Sequence, residues 1–240
     1  IELFDNYPPR YEADARRQHR WTRGDWQILA WLLPRVPGPR GWHSNPLSAL
    51  SRWKIFDNLR RSIVPSGLLG FLLLGWLVAS PVAMWFTVVT LLVLAFPLLA
   101  QLAMSLISLP PRNVTPADEA RLLWRDLRHS LFQWLFGIAV LPQRAWSTVD
   151  AVTRTMWRTV ISRRKLLEWE TASEVEQRLG KSRWGPLFQM WYSLVLALSL
   201  PLILPFAATL AAIPFLPLWL CAPAISYWTA LPLSSRPSEE

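Results

Sequence analysis

The chain has 240 residues, a formal net charge of +9, 52 % hydrophobic residues, 16 Trp and 21 Pro. A soluble domain scatters its charges, but residues 62–111 and 184–235 carry none, which argues against a soluble globular fold. The single Cys, Cys221, excludes an intrachain disulfide and a Cys-based metal cluster, and Arg interleaved with Trp and Leu beside apolar tracts points away from nucleic acid and toward lipid head groups or small anions.

Residues 1–61 are polar and basic. Ile1-Glu2-Leu3-Phe4 lacks the basic region of a signal peptide, and the chain is expected to be a piece of a longer protein. Tyr7-Pro8-Pro9-Arg10 reads as extended or turn backbone. Residues 11–33, with one Gly and no Pro, predict a single helix. The Pro and Gly residues between 34 and 46 predict a loop. Leu47, Leu50, Trp53, Phe56 and Leu59 then recur every three or four residues, opposite Arg52, Asp57 and Arg61. This is an amphipathic helix of the kind that lies in a membrane interface.

Residues 62–111 are the first apolar tract. A helix crosses a bilayer with about 20 apolar residues, so the tract accommodates two crossings. One is expected over 65–79, a reversal at Ser80-Pro81, and a second over 82–109 with a bend at Pro97. Gly67, Gly70 and Gly75 are expected to allow close helix contact.

Residues 112–183 return to polar chemistry. Thr115 is the predicted cap of a helix whose first turn holds Pro116, Asp118 and Glu119. Residues 130–142 are apolar but too short for an upright crossing, and read as a re-entrant or interfacial segment. Residues 146–179 predict a long helix carrying Arg154, Arg158, Arg163, Arg164 and Lys165, ended by Gly180. Glu168 and Glu170 are read as its surface ion-pair partners. Residues 184–235 are a second hairpin, in which Pro201, Pro205, Pro214, Pro217 and Pro223 leave the turn open. Cys221 is a small apolar residue within it. Residues 236–240 are a polar tail.

The resulting fold class is all-α: a polytopic membrane protein of two transmembrane helical hairpins with amphipathic interfacial helices. Of the 25 Lys and Arg, eleven lie in residues 1–61, thirteen in 112–183 and one in the tail. Each hairpin returns the chain to the side it left, so all basic segments share one face. The positive-inside rule makes that face cytoplasmic.

The densest polar chemistry is Arg16-Arg17-Gln18-His19-Arg20-Trp21-Thr22-Arg23-Gly24-Asp25-Trp26. On a helix, Arg17, Arg20, Trp21 and Gly24 share one face. Guanidinium groups grip phosphate oxygens bidentately, and an indole face stacks on the apolar face of a sugar ring. Together they suit a nucleotide sugar; an interfacial helix whose Arg and Trp reach the head groups has the same composition. Asp14 and Asp25 read as ion-pair partners of the neighbouring Arg residues rather than as bases. His19 faces the interface or packs, and has no second His at metal-ligand spacing.

Arg17-Gln18-His19-Arg20-Trp21 resembles the Q-x-x-R-W signature of processive, inverting membrane glycosyltransferases. Tyr11-Glu12-Ala13 with Arg23-Gly24-Asp25-Trp26-Gln27, then Asn45-Pro46-Leu47-Ser48, Arg52 to Ser62, and Ser162 to Ala172 resemble more closely the cyclic β-1,2-glucan synthases. The resemblance implies a cytosolic transferase domain using UDP-glucose and a divalent metal (Mg or Mn), held on the bacterial inner membrane by transmembrane helices and joined to large carbohydrate-processing domains. It implies an acceptor site at Trp21, Arg17 and Gln18, contact of Arg20 and Arg23 with the UDP diphosphate, and support from Gly24, Asp25 and Trp26. Arg17 stands where the signature has Gln, so Gln18 is the candidate for that amide. No D-x-D motif and no acceptor base precede the motif. No catalytic residue, metal ligand or cofactor is therefore assigned to this chain, and the metal is expected in an upstream core. The partners expected are UDP-glucose, the growing glucan, membrane lipids, and those upstream and downstream domains. A linear β-glucan synthase and a non-catalytic membrane scaffold or lipid-binding module are the alternatives.

Overall fold

A computed structural model describes residues 11–38, 41–107, 115–164 and 185–230. They are mostly helical and group into two compact units. The first holds the described residues up to Gly67, from Pro142 to Tyr192 and from Pro223 onward; the second holds Leu68–Leu141 and Ser193–Ala222.

In the first unit, α1 runs Tyr11–Gln27 and gives way to a 3-10 turn at Leu29–Leu32. The single helix expected over 11–33 is therefore shorter: winding tightens to 3-10 bonds after Gln27 and stops at Leu33, since Pro34 cannot supply the next N–H. The expected loop contains a correction to the all-α class: β1 (Arg35–Gly38) pairs antiparallel with β2 (Gly41–Ser44), with Val36 opposite His43. Gly41 has φ +103, a left-handed conformation that favours glycine. Asn45 fixes this ribbon. Its side-chain amide donates to the carbonyls of Trp31 (2.7 Å) and Leu33 (2.8 Å), and its backbone N–H donates to Pro34. Ser48 then caps the next helix by accepting from the N–H of Ser51.

That helix, α2 (Ala49–Leu77), passes through Pro65 without a break. The interfacial helix and the first arm of the hairpin, expected as separate elements, are one. Leu50, Trp53 and Phe56 are exposed on it while Leu59 is buried, and Asp57 pairs with Arg60 (2.7 Å) and Arg61 (3.0 Å). α5 (Leu141–Met156) continues into a π-helical turn at Trp157–Ser162. Arg163, in the left-handed region with φ 50, ends it. The helix expected over 146–179 is thus interrupted at Arg163, and its remainder from residue 165 lies outside the described residues. Gly180, Glu168, Glu170, residues 1–10 and the tail lie outside the described residues.

In the second unit, the reversal expected at Ser80-Pro81 is a 3-10 turn, Ser80–Val82, leading into α3 (Ala83–Ile107). Gly75 meets Phe86 so closely that a Cβ there would lie 2.2 Å from the ring, whereas Gly67 and Gly70 face open space. Only the third of the three expected close contacts exists. α4 (Pro116–Ala139) is capped by Thr115, which accepts from the N–H of Asp118 at 3.2 Å. It lies along α3, with the indole of Trp134 donating to the Leu91 carbonyl (3.2 Å) and the hydroxyl of Ser130 to Gln101. The re-entrant segment expected over 130–142 is thus the end of α4 and the start of α5.

Residues 185–230 form α6 (Gly185–Gln189), α7 (Trp191–Ile203), α8 (Phe206–Ala212) and α9 (Leu216–Ala230). The breaks fall at Pro205 and Pro214. Pro214 has no N–H for the Leu210 carbonyl, and the N–H of Phe215 bonds Ala212 instead. The Ala211 carbonyl is left to a side chain, and Thr87 of α3 donates to it at 2.8 Å while accepting from the indole of Trp76 at 2.9 Å. Around this relay Trp76, Phe215 and Trp219 pack with ring centroids 5.6–5.9 Å apart. All three are fully buried.

Among the described residues two helical stretches are long and apolar enough to cross a membrane, Ser80–Ser105 and Phe206–Trp228; Trp191–Ile203 is shorter. Only 22 % of the first is buried within the protein. Its Trp85, Leu92, Phe96 and Met104 face outward, as side chains that meet lipid do.

Candidate functional site

The motif helix α1 has two faces with different work. One face is tied into the first unit. Tyr11 is buried, and its hydroxyl donates to Gln143 Oε1 at 2.6 Å. Burial pushes its pKa up to about 12, so it stays a neutral donor. Eight residues on, His19 Nε2 lies 3.0 Å from Asp150 Oδ2. Burial holds His19 below its ordinary value even though Asp150 pulls the other way, so the neutral imidazole donates to the carboxylate. Burial alone would raise Asp150, but hydrogen bonds from Arg154 (2.7 Å) and His19 outweigh it and hold the acid low. Trp26 donates to Ser62 Oγ at 3.0 Å, and Thr148 and Ser66 bond the carbonyls of Ser62 and Ala145. α1, α2 and α5 are thereby laced together by polar groups. A cleft of about 290 Å³ between them is lined by Gln18, His19, Arg61, Gln143 and Arg144.

The other face carries the sequence-predicted residues. Trp21 is 56 % exposed, and the Arg17 guanidinium sits over its ring at 4.8 Å, a cation–π distance. Arg17 is held there by Asp14 at 2.8 Å. Asp14 is thus the ion-pair partner expected of it. Gln18 and Gly24 are exposed, and no side chain covers Gly24. Arg20 and Arg23 are half-buried and engaged within the protein. Asp25 accepts from Asn58 at 3.4 Å, and burial raises its pKa against the pull of that bond and of Arg61. The helix brings Arg17, Trp21 and Gly24 to one surface as its period requires, and turns Trp26 inward. Sequence reasoning missed Asp150 and Gln143. They lie more than 130 positions from their partners on α1, and no local pattern marks such a pair.

Among the described residues no group of three or more His, Cys, Asp or Glu could hold a metal ion. The described residues therefore offer no fit for the divalent metal that the resemblance implies. Cys221 is exposed on α9 as a free thiol.

No protein-family model matches the chain. It is 36 % identical over 237 residues to cyclic beta-(1,2)-glucan synthase NdvB of Rhizobium meliloti (strain 1021). The match covers 96 % of this chain and 8 % of that protein. The resemblance first met in short strings therefore holds over nearly the whole chain, which is homologous to one small segment of a glucan synthase.

Proposed function

We propose that this chain is the membrane-seated, acceptor-side segment of a glucosyltransferase that polymerises glucose from UDP-glucose into cyclic β-1,2-glucan. The observation that carries this reading is Trp21. It is a half-exposed indole whose orientation is fixed by Arg17 and Asp14, on a helix whose opposite face is locked to α2 and α5. A rigid aromatic plate open on one side suits the apolar face of an acceptor glucose. Gln18, exposed at the edge of the cleft one turn before Trp21, would offer a hydrogen-bonding amide. Arg20 and Arg23 would lie toward the diphosphate, where a guanidinium binds phosphate strongly. Catalytic base and metal belong to a transferase core outside this chain.

The same reading places the protein in the bacterial inner membrane, as two hairpins with the basic segments on the cytoplasmic side. The outward apolar side chains of α3 and the exposed Leu50, Trp53 and Phe56 of α2 support lipid contact. The chain should therefore stay with vesicles through an alkaline carbonate wash.

The decisive experiment uses the full-length synthase containing this chain. Trp21→Ala should abolish polymer formation from UDP-glucose and leave membrane insertion intact, while Trp21→Tyr should keep part of the activity. Normal product from Trp21→Ala would remove Trp21 from the acceptor site. Glucosyl transfer by the isolated chain would show that the catalytic core does not lie elsewhere, and ring analysis of the product separates a cyclic from a linear glucan.

A further inference from the structure

About 200° around α1 from Trp21 (two residues at 100° each), His19 borders a second cleft, of about 240 Å³ and open to the surface. We propose that this cleft is a further sugar subsite, which takes one β-linked glucosyl ring of a glucan chain.

Its wall is an aromatic stack that the sequence scatters. Trp146 of α5 stacks on Tyr192 of α7 with centroids 4.8 Å apart and planes 26° apart, and Trp191 leans on the same tyrosine at 4.1 Å. About half of each indole stays exposed. A β-glucosyl ring carries its hydroxyls equatorially, so both of its faces are C–H surfaces that stack on such rings.

The rim supplies what equatorial hydroxyls need. Gln189 Oε1 is buried with no donor, a costly state that a ligand hydroxyl relieves. The carbonyl of Gln143 is occupied by Tyr11, so Gln143 offers N–H. Arg154 uses Nε on Asp150, and its terminal nitrogens are the donors it can offer a ligand.

Charge selects the ligand. Among the lining side chains Arg154 is matched by Asp150, and burial disfavours the charged form of His19, so the lining itself sums to no net charge. That balance suits a neutral polyol better than an anionic head group. The volume falls below the roughly 300–1,000 Å³ of pockets for drug-sized ligands. An open cleft of that size grips one ring and lets the chain run on. That the ring belongs to the product glucan rests on the glucosyltransferase reading; the aromatic and amide chemistry does not.

The test is calorimetric titration of the 240-residue chain, in phosphatidylcholine nanodiscs, with a linear β-1,2-glucan oligosaccharide. Trp146→Ala should weaken binding about three- to tenfold with only a small fall in thermal midpoint, and Gln189→Met about two- to tenfold with a midpoint no lower than wild type, since it removes an unpaired buried oxygen. The Trp146→Ala loss should persist in a Trp21→Ala background, which separates this cleft from the acceptor face. Equal affinity for wild type and both variants overturns the proposal, as does displacement of the oligosaccharide by phosphatidylglycerol in the nanodisc. Should Trp146→Ala fail to fold, Gln189→Met decides. The polymerisation assay on Trp21 reads the acceptor face alone, so either idea can fail without the other.

Discussion

Trp76, Phe215 and Trp219 fill the centre of the second unit, where Thr87 joins the Trp76 indole to the Ala211 carbonyl and the Trp219 indole bonds Ile138, while the hydroxyls of Thr90 and Ser193 are buried without a partner. The first unit buries Glu12, Thr22, Gln143, Thr148 and Thr155, and its helices meet through hydroxyl, amide, imidazole and carboxylate groups. On the proposed function, the difference follows from surroundings. Where lipid covers the outside, burial of apolar surface drives little, and close packing with internal hydrogen bonding holds the helices. Where a helix must present guanidinium and indole groups to a ligand, polar lacing fixes its rotation about its own axis. An apolar stripe fixes that rotation less well, because dispersion contacts are not directional.

The largest effect should come from crowding the second unit. Gly75→Leu would drive side-chain atoms into Phe86. Because this clash does not depend on the solvent outside, loss of the folded state in thermal unfolding in detergent is expected. Gly70→Leu, facing open space on the same helix, should change little, and equal behaviour of the two would refute the packing described here. Trp76→Ala should cost about 3–5 kcal/mol. Thr87→Val keeps the shape but strands the Trp76 indole and the Ala211 carbonyl, at about 1–3 kcal/mol.

The first unit should respond to the opposite kind of substitution. Tyr11→Phe removes one oxygen and almost no volume. It leaves the buried carbonyl of Gln143 without its donor, at about 1–3 kcal/mol. If Tyr11→Phe is neutral while Thr87→Val is costly, the first unit is not held by its polar groups and the contrast fails.

These residues also show how far the sequence could be read. The reversal at Ser80-Pro81, the Thr115 cap and the exposed stripe of Leu50, Trp53 and Phe56 are local: turn chemistry, a capping side chain and a helical period each act within a few positions. Arg17 and Trp21 share a face for the same reason. The ribbon at Arg35–Ser44 escaped because its signal, Pro and Gly, is the signal of any loop; the amide of Asn45 is what makes it a ribbon. That amide and the Ser48 cap also give Asn45-Pro46-Leu47-Ser48 a structural role. The continuity of α2 through Pro65 was hidden because Pro marks a break unless neighbouring groups satisfy what it frees. Gln143, Trp146, Asp150 and Tyr192 were unreadable as a site, since only the packing of α1, α5 and α7 brings them together.

The smallest and most selective effect should come from acid. Among the described residues the core of the second unit contains no titratable side chain, whereas the first unit depends on His19 and Asp150. His19 sits below its ordinary 6.5 because burial disfavours its charged form. The unfolded chain therefore takes up the proton first, and stability that is full above 6.5 declines as pH falls from there toward the lower value of the folded state. Asp150 is held below 3.8, so its contribution is complete above that pH and is lost only further down. The two losses have the same sign but separate windows. A fluorescence or near-ultraviolet signal from Trp146 and Tyr192 should thus weaken on mild acidification while the signal of Trp76 and Trp219 holds. His19→Gln, which keeps a donor for Asp150 but cannot titrate, should flatten the first window and leave the second. A wild-type stability that instead rises as pH falls from neutral toward 6.5 would mean that His19 binds its proton more tightly in the folded state, and that the bond to Asp150 is an ion pair rather than the neutral clamp that holds the motif helix.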